Sequence, residues 1–308
     1  MPQAGPSAPG RSPRAYIVLS IGTAVATMGL KFGAYLLTGS VGLLSDAIES
    51  LINLTAALVA FWALTVARRP PDSEHPFGHS KAEYFSSATE SLLIMAAAAG
   101  IAAVAWNRLI HPRPLELLTV GAGISAAAAL INAITAFILL RAGRRLRSIT
   151  LRADALHLFT DVWTSVGVII AVVLVHLTGW LALDPIVAFV VAANIVWMAV
   201  RLLRETAAGV LDAALSQPEQ AAISAVLAEY ERQGVAFHAL RTRLAGQRRF
   251  IELHVLVPGS WTVQRGHDLC EDIERRIIEA LPTSTVLTHL EPVEDSASWG
   301  DTALDRTA

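Results

Sequence analysis

The sequence predicts a multi-pass α-helical membrane protein of six transmembrane helices followed by a cytoplasmic α+β domain. Three observations predict it. The 308-residue chain is 54% hydrophobic and 16% charged, with a mean hydropathy of +0.50, too apolar for a water-soluble fold. Its apolar residues gather into six stretches, each near the ~20 residues that a helix needs to cross the hydrocarbon. From about Gly209 those stretches give way to short amphipathic patterns.

The elements follow in order. "MPQAGPSAPGRSPR" is rich in Pro, Gly and Ser and has no apolar run of its own, so residues 1–13 read as a disordered tail rather than a signal peptide. The spans run Tyr16 to Leu37, Val41 to Val66, Phe85 to Ile110, Leu115 to Leu140, Leu151 to Val175 and Ile186 to Leu203, giving a membrane domain over 14–208. "TGSVG", "HPRP" and "HLTGWLALDP" are short turns joining the first and second, third and fourth, and fifth and sixth spans. The other connections and the N-terminal flank carry twelve Lys and Arg, against only Arg108 and Arg113 on the opposite side. The positive-inside rule therefore places both termini in the cytoplasm of a multi-pass protein of the inner (plasma) membrane. Lys31 reads as snorkelling to the outer interface.

Past the spans, "QPEQAAISAVLAEYERQ" reads as a helix, "VAFHALRTRL" and "RRFIELHVLVP" as strands around a turn, "TVQRGHDLCEDIERRIIEAL" as a helix and "STVLTHLEP" as a strand. That αββαβ order defines a soluble domain over 209–292, with 293–308 read as a disordered tail. A net charge of −2 points to no nucleic-acid partner. The single cysteine, Cys270, excludes an intramolecular disulfide and any CxxC motif.

The chemistry begins with polar residues where water is scarce. In the fifth span Asp154, His157 and Asp161 stand three and four residues apart, and the i, i+4 step stacks the last two on one helix face. The second span repeats the steps with Asp46, Glu49 and Asn53. Asn53 and Asp161 both fall near the middle of their spans, so Glu49, Asn53, His157 and Asp161 meet at one depth if the helices pack. Four nitrogen and oxygen donors around a point suit a divalent metal such as Zn2+. Two readings stand side by side. Polar groups glue helices together for about a kcal/mol or less, whereas an ionised Asp at the bilayer centre costs at least ~2.5–3.5 kcal/mol and marks an ion or proton path. The acids here, with Glu90 of the third span among them, favour the second reading.

Two further groups share the theme. In "RRPPDSEHPFGHSKAEYFSS" Asp72, His75 and His79 are spaced by three and four residues around Pro76 and Gly78, either as a second metal site or as solvated side chains of a polar turn. The soluble domain holds His238, His254, His267 and His289, and Glu291 shares a strand face with His289. Each alone reads as an ordinary histidine; together they read as metal ligands.

At these residues the chain resembles the cation diffusion facilitator family, from about residue 14 to 292. The matching pieces are "GSVGLLSDAIESLIN", "HPFGHSKAEYFSS", "LRADALHLFTDVWTSVGV", "HALRTR", "FIELHV" and "VLTHLEP". The resemblance implies a homodimeric metal/proton antiporter with a ferredoxin-like cytoplasmic domain that binds metal at the dimer interface. It implies a transport site of Glu49, Asn53, His157 and Asp161, and a loop site of Asp72, His75 and His79. It also implies a cytoplasmic site of His238, His254, His267, His289 and Glu291. Asp46 and Asp154 are accessory to these, and Lys81 and Asp212 fall where the family places a charge interlock. The chain departs from many zinc-transporting members, which carry Asp at the position of Asn53 and Asp or His at that of Glu49. A neutral amide oxygen shifts the site toward a harder or less selective ion, so Zn2+ leads and Fe2+, Mn2+ and Co2+ follow. The metal is substrate and regulator, and no organic cofactor is implied. A membrane metalloprotease would need a helical HExxH or similar water-activating set, and none occurs. A metal sensor of the same fold without transport is the other reading.

Overall fold

The computed structural model describes residues 13–38, 41–111 and 119–300; within its helices some side chains, those of Asp46 and Glu49 among them, lie outside the described residues. The chain divides into two compact units, Met1–Ala207 and Ala208–Ala308.

The first unit is built from six helices: α1 (Pro13–Thr38), α2 (Val41–Val66), α3 (Ala82–Ile110), α4 (Thr119–Leu146), α5 (Ile149–Thr178) and α6 (Leu183–Val210). Helices of 26 to 30 residues are about 39–45 Å long at 1.5 Å per residue, more than the ~30 Å hydrocarbon layer. They overrun the apolar stretches that announce them. Helix α4 continues six residues past Leu140, through Arg141, Arg144 and Arg145, because arginine is a good helix former and basic groups suit a helix C-terminus. Pro13 opens α1, where its missing N–H removes nothing. Ser148 caps α5 by accepting from the Leu151 N–H, and Gly179 ends it at φ 70 with its N–H on the Val175 carbonyl.

Small residues bring these helices together. Ile17, Ala60, Leu64, Leu139, Ala142, Leu151 and Ala155 form one buried cluster joining α1, α2, α4 and α5, as expected where close backbone approach drives packing in lipid. Hydroxyl pairs tie further helices: Thr23 to Thr135 at 2.8 Å between α1 and α4, and Ser87 to Thr206 at 2.7 Å between α3 and α6. Lys31 is only 7% exposed. It does not snorkel, because α1 is packed between α2 and α4.

The second unit runs α7 (Gln217–Glu231), β1 (Ala236–Ala245), β2 (Arg248–Val257), α8 (Val263–Ala280) and β3 (Ser284–Pro292), the αββαβ order read from the sequence. A two-residue turn, Gly246-Gln247 with Gly246 at φ 58, sets β1 antiparallel to β2. The α8 crossover then lays β3 parallel to β2 on its other side. Residues alternate across β2: Ile251, Leu253, Val255 and Val257 face a core shared with Ile223 of α7 and Ile273 and Ile277 of α8. The even-numbered residues, His254 among them, therefore lie on the sheet face away from both helices. Order continues past residue 292, where the sequence suggests disorder. Asp295 accepts the Ala297 N–H at 2.9 Å to start a 3₁₀ turn over Ser296–Trp299, and the Trp299 indole donates to the Val293 carbonyl at 3.1 Å.

Candidate metal centres

The first centre lies inside the helical unit. Asn53 of α2 presents its carbonyl oxygen to His157 Nε2 at 2.6 Å and donates its amide to Asp161 Oδ2 at 2.5 Å. Since Asn53 Oδ1 only accepts, Nε2 carries the imidazole proton here and Nδ1 keeps its lone pair. That Nδ1 is buried without a hydrogen-bond partner. Asn53, His157 and Asp161 are 6, 7 and 8% exposed, so three of the four expected ligands converge in a dry place. The side chain of the fourth, Glu49, lies outside the described residues, as does that of Asp46. Glu49 precedes Asn53 by four residues on α2, one turn away.

A residue the sequence reading passes over joins them. Asn132 of α4 donates its amide to the same Asp161 Oδ2 at 3.1 Å, is 3% exposed, and leaves its own carbonyl oxygen without a partner. A third helix thus reaches the centre. The signal in the sequence is a lone amide in the middle of "SAAAALINAITAFILL". Asp154, one turn before His157 on α5, is 2% exposed.

The second centre is the turn between α2 and α3. Asp72 lies 3.4 Å from His75 Nδ1 and 3.3 Å from His79 Nε2, and the two imidazole centroids are 4.4 Å apart. One donor atom from each of the three residues falls within 4.8 Å of the others. Gly78, at φ 84, turns the chain back so that His79 meets Asp72. The Asp72 carboxylate also accepts the backbone N–H groups of His75 at 2.7 Å and Glu74 at 3.1 Å. These donors, that of His75 foremost, hold its carboxyl below the usual range. A depressed folded-state pKa makes a contribution that is complete above the unfolded value and lost as pH falls through the folded one. Titrating the free protein into acid should therefore release the turn, seen as faster amide exchange at Glu74 and His75. Asp72→Asn should show that fast exchange already at neutral pH.

The third centre sits on the open face of the sheet. Register places His238 opposite His254 and His254 beside His289. Glu291, 6% exposed, reaches all three: His238 Nε2 at 2.8 Å, His254 Nδ1 at 3.3 Å and His289 Nε2 at 3.3 Å. His238, His254 and Glu291 bring donor atoms within 4.8 Å of one another, with His289 at the exposed rim. The Trp299 ring lies 5.6 Å from that of His238. His267 does not join them. It is exposed on α8, and α8 covers the opposite face of the sheet. Of the expected interlock pair, Lys81 precedes α3 in the first unit, and Asp212 faces Arg243 Nη1 at 3.4 Å in the second.

Residues 17–210 match the family described as the cation efflux transmembrane domain, and residues 215–293 match the cation efflux protein cytoplasmic domain. An uncharacterized transporter of Synechocystis sp. is 58% identical over 289 residues, 94% of this chain and 93% of that one. The cation-efflux pump FieF of Yersinia pestis is 31% identical over 272 residues, 88% of this chain and 90% of the pump. Among solved structures, the Zn form of a putative zinc transporter, CzrB, is 36% identical; the match covers 27% of this chain and 93% of that one, with a TM-score of 0.25.

Proposed function

The chain belongs to the cation efflux family, the cation diffusion facilitators, and from that premise we propose that it exports Zn2+ from the cytoplasm across the inner membrane in exchange for protons. The observation that carries this reading is the buried network of Asn53, His157 and Asp161. It gathers one imidazole, one carboxylate and one amide oxygen where lipid-facing helices have no structural need of them. Glu49 completes the site as a second carboxylate from the neighbouring turn of α2.

Charge balance supplies the coupling. A dehydrated divalent cation is stabilised by the two carboxylates and the neutral imidazole. Without it those carboxylates would stand uncompensated in a low-dielectric site. Protons on His157 and one carboxylate restore neutrality, so the site holds either metal or H+ as it faces each side in turn. Inward proton flow then drives metal outward. Fe2+, Mn2+ and Co2+ compete because the Asn53 amide, and that of Asn132 beside it, are neutral oxygen donors of the harder kind.

The same reading makes the protein a homodimer with cytoplasmic termini. The His238, His254, His289 and Glu291 cluster takes regulatory metal that draws the two soluble domains together. Asp72, His75 and His79 hold a more exposed ion.

Purified protein in proteoliposomes carrying a pH-sensitive dye and a metal dye tests the coupling. A Zn2+ gradient should move Zn2+ and, in the opposite sense, protons. Metal movement with no proton counterflow refutes antiport.

A further inference from the structure

Two carboxylates inside the helical unit stand apart from the transport residues. Glu90 of α3 is fully buried and Asp154 of α5 is 2% exposed. Neither oxygen of Glu90, nor Asp154 Oδ2, has a hydrogen-bond partner. Both stand at one level where α3 packs on α5: Tyr84 clusters with Ile149 and Ala153 on one side of them, and Leu156 packs against the Ile94 and Ala98 cluster on the other. The neighbouring acid on the same helix makes the contrast: Glu83, equally buried, takes the Ser148 hydroxyl at 2.5 Å.

Among the described residues, the surroundings supply no countercharge. From α1, Ser20 hydrogen-bonds Asp154. From α3, the buried Ser86 hydroxyl lies beside Glu90 without meeting hydrogen-bond geometry. Arg152 of α5 is engaged by Glu205 of α6, and Lys31 is eleven residues from Ser20 along α1, about 16 Å at 1.5 Å per residue. Against α3, α6 presents the apolar Ile195 and Ala199. Among the described residues no basic side chain pairs with either carboxylate.

A doubly charged pair in such a place is disfavoured twice over, by desolvation and by repulsion. One proton removes a charge and supplies the donor that the unpartnered oxygens lack. Two coupled carboxyls then share it as a unit. We propose that Glu90 and Asp154 form a proton-holding pair that relays H+ between the transport site and the end of the bundle where α5 begins. Asp154 stands one helical turn before His157, on the side where antiport, on which this inference rests, releases its protons. In each cycle a carboxyl O–H bond forms as a proton leaves the transport site and breaks as that proton passes to water; no electrons move.

The test uses full-length protein with Glu90→Gln, Asp154→Asn and Glu90→Asp. In proteoliposomes, Glu90→Gln should slow proton-coupled Zn2+ flux by about 10²-fold, the scale of a lost proton-transfer group, and flatten its pH profile. Zn2+ affinity in detergent should stay within about twofold, since the ligands are untouched. Asp154→Asn should act in the same direction, and Glu90→Asp, which keeps the carboxyl, should restore the pH dependence. Infrared spectroscopy of the wild type at neutral pH should show a protonated-carboxyl C=O band that shifts in D2O and is lost in Glu90→Gln. Flux and pH profile unchanged in both neutral variants overturn the relay, and a wild-type spectrum without the band overturns the shared proton. Wild-type flux with no proton counterflow would instead sink antiport itself, while the infrared result still judges the pair.

Discussion

Asp161→Asn should abolish metal efflux while leaving the protein folded. Asp161 is the carboxylate on which the described part of the proposed transport centre converges: two amide N–H groups, from Asn53 on α2 and Asn132 on α4, point at its Oδ2 at 2.5 and 3.1 Å. Hydrogen bonds to an ionised acceptor are the strong ones, so these donors fix the carboxylate in place. An asparagine has the same shape but no charge. Loss of a hydrogen bond that orients a ligand typically lowers metal affinity 10–100-fold, and removal of an anionic ligand should exceed that, reducing Zn2+ binding by more than about 100-fold. Asn132→Ala is the graded companion: it deletes one donor, keeps the charge, and should weaken binding by about 10-fold, the lower end of that range. Titration calorimetry in detergent and vesicle flux read both, with thermal unfolding as the control for folding. Full Zn2+ transport by Asp161→Asn would remove the transport site from this place in the fold.

What the sequence made legible here depended on whether one helix or several set the feature. His157 and Asp161 share a helix face by spacing alone, so their pairing was visible as an i, i+4 step. Asn53 came within reach because its span repeats the same steps. Asn132 carries no such periodic mark. Its approach to Asp161 is fixed by the way α4 packs on α5, a tertiary fact that no local pattern encodes. The ends of α4 show the same division, since hydropathy stops at Leu140 while backbone propensity carries the helix on to Leu146. In the soluble unit, strand positions and the αββαβ order followed from alternation and turn residues. The alignment of His238, His254 and His289 did not, because it requires the register set by the Gly246-Gln247 turn and by the crossover. His267, which the family resemblance adds to the set, stands on α8, on the other side of the sheet from these three.

On the proposed reading, Glu291→Gln should remove most of the stabilisation that Zn2+ binding confers on the cytoplasmic domain. One carboxylate there touches three imidazoles, with Oε2 between His238 and His254 and Oε1 toward His289. It is 6% exposed and is the one acid in the cluster. An ion bound at His238, His254 and Glu291 would be held by one charged and two neutral donors, so neutralising the acid removes the only anionic ligand this group supplies. Binding to the folded state raises stability by RT ln(1 + [L]/Kd), about 2.7 kcal/mol at a hundredfold excess over Kd. A variant with its Kd raised 100-fold retains only about 0.4 kcal/mol at the same Zn2+ concentration. Thermal unfolding of the full chain with and without Zn2+ measures the difference. His254→Ala with His289→Ala should act in the same direction on metal-induced closure of the dimer, measured by distance between labels on the two soluble domains. Both variants leave Asn53, His157 and Asp161 unaltered and should still bind Zn2+ within the membrane. If Glu291→Gln unfolds with the full Zn2+-dependent shift of the wild type, the open sheet face is not the metal site proposed here.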